Sequence, residues 1–185
     1  QMDQGGWGGR FSLVKQPGIR SMSEVAKITK DAEPRFDPYY MHGNTPEKAN
    51  AIKRWSNGYD NDFAARMDWS ITSNYANANH HPIAVVNGDQ SRKVLELSAA
   101  PGSQVKLDAA GSSDPDQNSL IFNWSFYQEP SSYTGEVKLE KATSSATTVA
   151  IPADASGKRL HVILELHDHG LPNLYAYRRV IINVK

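Results

Sequence analysis

Cysteine is absent from the 185 residues. That excludes disulfides, a thiolate nucleophile and cysteine-based zinc sites, and it leaves the cellular compartment open. Long apolar runs are absent too. A membrane-spanning helix needs roughly 18 or more consecutive apolar residues, whereas the most apolar stretches here, "IAVV" at 83–86 and "HVILEL" at 161–166, are strand-length. An excess of either charge is also missing. Lys and Arg total 20 against 20 Asp and Glu, divided 10 to 9 in residues 1–80 and 10 to 11 in residues 81–185. A nucleic-acid binder normally carries a basic stripe, so no nucleic-acid partner is expected. The opening "QMDQGGWGGR" has neither the charged nor the apolar region of a secretory leader, and the chain is expected to be a piece of a longer polypeptide.

Hydrophobic residues make up 39% and charged residues 22%, enough for a buried core. Residues 1–43 show little periodicity. Glycines in "GGWGG" and prolines Pro17, Pro34 and Pro38 interrupt helix and strand alike. In residues 44–69, "NTPEKANAIKRWSNGYDNDFAARMDW", Thr45 is a plausible N-cap with Pro46 at the first helical position. Trp55, Tyr59, Phe63 and Met67 then recur at helical spacing. The spacing predicts a core-facing stripe on one helix, or on two helices divided near Gly58. Residues 1–80 are expected to form a helical and irregular connector.

From residue 81 onward the pattern is β. Candidate strands are 83–86, 94–99, 104–109, 120–127, 136–139, 147–151, 160–166 and 175–184, with alternation in "VLELSA", "VKLDA" and "YAYRRVIINV". "VNGD", "APGS", "SSDPDQNS", "PADASGK" and "DHGLPN" supply turns between them. Short strands at this spacing with one strand-borne Trp, Trp124, predict a mainly β chain whose residues 81–185 form an immunoglobulin-like sandwich.

"LDAAGSSDPDQNSLIFNWSF" at 107–126 resembles the signature of polycystic-kidney-disease-type and cadherin-like repeats, in which a small-residue turn and Ser-Asp-Pro-Asp lead into the strand bearing the core Trp. A second resemblance spans nearly the whole chain and is weakest at Lys15–Met41. "GGWGGRF", "NDFAARMDW", "ANHHPIAVVNGD" and "HVILELHDHGLPNLYAYRRVIINV" are similar, in this order, to the carboxyl-terminal half of a bacterial family of cellulose-binding proteins. Members of that family join an N-terminal nucleoside-hydrolase-like domain to a β-sandwich. The resemblance implies that residues 1–80 are the tail of that domain, which would be the intramolecular partner of the sandwich. It also implies a secreted or periplasmic, polysaccharide-associated protein. The aspartate cluster with which nucleoside hydrolases hold calcium is not present. The expected function is therefore a non-catalytic accessory module that stabilises or targets the hydrolase-like domain. The alternatives are a cellulose-binding module in its own right and one chain of a processed hydrolase.

Four groups carry possible ligand chemistry. Asp114 and Asp116, with Asn118, offer the hard oxygens calcium prefers, but they equally suit a turn in which Asp114 caps its own backbone and Pro115 sets the corner. The plain turn is favoured. His167 and His169 lie two apart at a strand end, so their side chains share a side; a polar turn is the simpler account. Tyr175 and Tyr177 share one face of the last strand and could stack on sugar rings. Trp7 and Arg10, set among glycines, offer a stacking plane and a fork of donors. No other cofactor is expected.

Overall fold

The computed structural model describes the backbone of residues 12–15 and 40–43 and the whole of residues 53–185. The chain forms two compact units, Gln1–Tyr59 and Asp60–Lys185. In the first, strands β1 (Ser12–Lys15) and β2 (Tyr40–Gly43) pair antiparallel, Ser12 opposite Gly43. Trp7, Arg10 and the cap proposed at Thr45–Pro46 lie outside the described residues.

The helix α1 spans Ser56–Ile71 and runs through Gly58 without a break. The expected core stripe is not the buried face. Phe63 is 65% exposed and Met67 48% exposed. The packed face is instead that of Asn61, Ala65 and Trp69, four residues apart. Ala65 is fully buried. Asn61 donates Nδ2 to the Asn173 carbonyl at 2.9 Å, and Trp69 donates Nε1 to the Asn79 carbonyl at 2.8 Å. Hydrogen bonding, which apolar periodicity does not register, chooses the face. These anchors bring residues 60–80 into the same compact unit as the strands, whereas the sequence places a boundary at residue 80.

That unit is a two-sheet sandwich, as expected. One sheet runs β3 (Leu95–Ala99), β9 (Tyr175–Val184), β8 (Arg159–Asp168), β5 (Leu120–Phe126); the other runs β4 (Gln104–Asp108), β7 (Ala146–Ala150), β6 (Leu139–Glu140). All pairs are antiparallel except β3 with β9. Strands alternate as the pleat demands. In β8 and β9, Leu160, Val162, Leu164, Leu166, Val180 and Ile182 are fully buried against Leu107 and Val149 of the facing sheet. Trp124 lies among them at 2% exposure, and its Nε1 donates to the Ser144 carbonyl at 3.0 Å, so burial leaves no indole donor unpaired.

Two of the expected strands are not strands. Residues 83–86 make only isolated bridges, Ile83 with Ser113 and Val86 with Asp89. The latter closes a two-residue turn in which Asn87 and Gly88 both have positive φ, 51° and 78°, the geometry an Asn-Gly pair favours. Residues 136–139 contribute only Leu139 to a two-residue strand.

Candidate functional site

The outer face of the four-stranded sheet is built by the odd-numbered residues of β9 and β8. Register places Tyr175 opposite His167, Tyr177 opposite Glu165 and Arg179 opposite Ile163. The rings of Tyr175 and Tyr177 lie 6.1 Å apart at 15°, and His167 continues the row 5.0 Å from Tyr175. Tyr177 is 40% exposed. Burial first, then Glu165 and Tyr175, push its phenol pKa upward, so the group stays a neutral donor. Burial also raises the pKa of Glu165.

A cleft of about 520 Å³ opens beside this row. Tyr175 and Tyr177 form one wall, Trp69 and Arg66 of α1 another, and Ser91 and Arg92 a third. Its shape depends on hydrogen bonds around it. His81 sets Nδ1 3.0 Å from the Tyr175 carbonyl and Nε2 2.8 Å from Asp62. Asp62 also takes Arg66 Nε at 2.7 Å, and that bond is the main reason its carboxyl is held below the ordinary range. Arg178, 4% exposed, donates to the carbonyls of Ala84, Asp89 and Lys93 at 3.3, 2.9 and 3.4 Å. One guanidinium thereby ties both ends of the segment that carries Arg92 to β9.

The loop at 112–118 is distant in role. Asp114 Oδ1 accepts from the backbone N–H of Asp116 and Asn118 at 2.9 and 3.0 Å, an Asx turn. Gln117 takes a positive φ of 66° inside it. Asp116 accepts the His80 backbone N–H at 2.7 Å, and His80 Nδ1 lies 3.1 Å from its other oxygen. Of the four oxygens only Asp114 Oδ2 is buried without a partner. Asn118 donates Nδ2 to Asn79 Oδ1 at 3.1 Å, and Asn79 in turn donates to fully buried Asp168 at 2.9 Å. Calcium takes roughly six to eight oxygens. One spare carboxylate oxygen does not fit that demand, and among the described residues no group of three or more His, Asp or Glu side chains is placed to hold a metal. His167 turns its Nδ1 to the Asp168 carbonyl at 3.0 Å, with the His169 ring 6.4 Å away.

Sequence reasoning found the tyrosine pair but not the cleft. Trp69, Arg66 and Arg92 join it through hydrogen bonds spanning 94 residues, from His81 to Tyr175, and 85 residues, from Lys93 to Arg178, which no local pattern announces. Among the described residues no helix is long and apolar enough to cross a membrane.

Residues 104–184 match the family model of the C-terminal domain of the cellulose-binding protein Sde0182. A nucleoside hydrolase-related hypothetical protein from Saccharophagus degradans, associated with carbohydrate metabolism, is 50% identical over 100% of this chain, with a TM-score of 0.77. This chain spans only 43% of that protein's length. The PKD domain of the KIAA 1837 protein is 28% identical over 50% of this chain and 79% of its own, with a TM-score of 0.37. Human CDH23 EC21-23 is 15% identical over 57% of this chain and 33% of its own, with a TM-score of 0.40. No curated protein matches the chain. The resemblance carried by the sequence segments stands: the domain model covers β4 to β9 of the sandwich, and the similarity to the S. degradans protein extends over the rest of the chain as well.

Proposed function

We propose that this chain is a non-catalytic carboxyl-terminal module of a secreted or periplasmic, polysaccharide-associated protein, and that it stabilises or targets a nucleoside-hydrolase-like domain of the same polypeptide. The observation that carries this reading is the full-length similarity, at 50% identity, to a nucleoside hydrolase-related protein more than twice as long. The constellation of the sandwich supports it. Its buried carboxylate, Asp168, is consumed by structural hydrogen bonds, and the aspartates of the 112–118 loop shape that loop and its seam with His80.

The test is direct. The purified chain should hydrolyse neither nucleosides nor β-glucans, while the same chain joined to the hydrolase-like half should raise that half's melting temperature or its retention on polysaccharide. Turnover by the isolated chain, abolished by chelation, overturns the reading.

The Tyr175–Tyr177 cleft favours a second role, direct contact with carbohydrate. Planar rings stack on the apolar faces of sugars while neighbouring donors meet the hydroxyls. Retention of the chain on an insoluble polysaccharide, lost in Tyr177→Ala with the fold intact, is the outcome expected.

A further inference from the structure

We propose that the tyrosine-walled cleft selects an acidic polysaccharide, a chain of sugars bearing carboxylates, rather than a neutral glucan. The inference rests on the carbohydrate reading above and adds the ligand's charge to it. A second, smaller cleft of about 150 Å³ adjoins the first, and the two share Arg92, Tyr177 and Arg178. Among the described residues they are lined by Arg66, Arg92, Lys93, Arg178 and Arg179 and by no aspartate or glutamate, with the Arg178 guanidinium itself turned away to the carbonyls of residues 84, 89 and 93. Asp62 and Asp89 balance Arg66 and Arg178 from just behind the lining, so the unbalanced positive charge is that of Arg92, Lys93 and Arg179.

The five are not equivalent. Arg66 is paired with Asp62 and Arg178 with Asp89, at 2.7 and 3.3 Å. Arg179 is turned to His161 and lies over the Tyr127 ring. Arg92 and Lys93 are exposed and make no ion pair among the described residues. Arg92, like Tyr177, lines both clefts. On the sheet face itself Glu165 lies opposite Tyr177 in the β8–β9 register and outside both linings. Burial raises its carboxyl pKa, and His167 and Asn123 pull it the other way.

A sugar ring seated on Tyr175 and Tyr177 would present a ring-borne carboxylate to the planar fork of Arg92, which binds such a group through two parallel N–H donors. The Tyr177 phenol, a neutral donor, suits a hydroxyl of the same or the next ring. A neutral glucan would stack equally well but would leave Arg92 unanswered, so charge complementarity is what separates the two ligands.

The experiment is affinity electrophoresis and calorimetric titration of the full chain against polygalacturonate, soluble β-glucan and duplex DNA. Polygalacturonate should bind, β-glucan should bind at least about tenfold more weakly, and the uronate affinity should fall with salt. Arg92→Ala should cost about tenfold on polygalacturonate and little on β-glucan. Arg92→Lys should restore part of the loss. Tyr177→Ala should weaken both, with the circular dichroism unchanged. Equal affinity for the neutral and acidic polymers, or an Arg92→Ala chain that binds uronate normally, overturns the charge assignment and leaves the carbohydrate reading standing. Duplex DNA bound as tightly as polygalacturonate, and lost equally in Arg92→Ala, makes the cleft a general polyanion surface and also overturns it. No binding to either polysaccharide overturns both.

Discussion

Arg179 donates Nε to Nδ1 of His161 at 3.0 Å. An imidazole that accepts there while buried at 3% exposure is held uncharged. Burial first, then the charges of Arg179 and Arg159, lower its pKa from 6.5 to about 4, against a small opposing pull from Glu96. Unfolding releases this group to its ordinary value, so between about pH 6.5 and pH 4 the unfolded chain binds more protons. Stability from this group is therefore complete above pH 6.5 and lost as pH falls toward 4. The slope is at most about 1.4 kcal/mol per pH unit. Calorimetry should show the melting temperature of the native chain falling through this window. In His161→Gln, whose amide keeps an acceptor but does not titrate, the fall should be shallower. Parallel slopes in the two proteins would refute the assignment.

Asp168 collects three donors: the backbone N–H of Gly170 at 2.9 Å, that of Leu174 at 2.8 Å, and Asn79 Nδ2 at 2.9 Å. It joins the β8–β9 turn to the segment leading out of α1. Asp168→Ala orphans all three in a buried site and should cost roughly 2–4 kcal/mol. Gly170→Ala should be costly for a related reason, since a Cβ there would overlap the Asn79 amide. Chemical denaturation measures both. A loss below about 1 kcal/mol for Asp168→Ala would mean that water replaces the carboxylate without penalty.

For the 112–118 loop the expected result with calcium is no shift. Millimolar calcium or a chelator should leave the melting temperature of the native chain unchanged, because a bound ion would raise it by mass action. Asp114→Ala should lower stability by about 1–2 kcal/mol through loss of the Asx turn, with or without calcium. A calcium-dependent rise that Asp114→Ala abolishes would restore the metal role to Asp114 and Asp116.

Much of the sandwich was legible because its signals are local. The alternation in "YAYRRVIINV" marks β9 over the residues it occupies, 175–184, and Asn87-Gly88 encodes its own turn. What was hidden depends on distance. Residues 83–86 look like a strand, but their backbone groups are satisfied by Ser113, Asp89 and the Ser112 hydroxyl rather than by a sheet partner. The buried face of α1 is hidden from the sequence because Asn61 and Trp69 bind through polar atoms that hydrophobic periodicity ignores. Tyr175 and Tyr177 could be named from spacing alone. Arg92 could not, since nothing in "GDQSRK" says which strand it will face.

Arg178 is the residue whose loss should separate fold from cleft. It sits on β9 immediately after Tyr177, pointing to the opposite side of the sheet from the tyrosines, and it is nearly fully buried. Its donors hold carbonyls at 84, 89 and 93, and it pairs with Asp89. Its Nε has no partner, so the site already carries one unsatisfied donor. Arg178→Met keeps the length and apolar stem but removes the donor from the Ala84 and Lys93 carbonyls, while the Asp89 carbonyl keeps the Val86 N–H and its carboxylate keeps the Ser91 N–H. The expected cost is about 2–3 kcal/mol, below that of a fully buried broken pair. The larger effect should be local. Amide exchange at residues 89–93 should rise well above that of the β8–β9 core and of residues 85–87, which Ser112, Asp108 and the buried Val86 still hold. Carbohydrate affinity through Arg92 should weaken with it, although Arg92 is untouched. If exchange rises evenly through β8 and β9 instead, Arg178 belongs to the core and does not position the cleft wall.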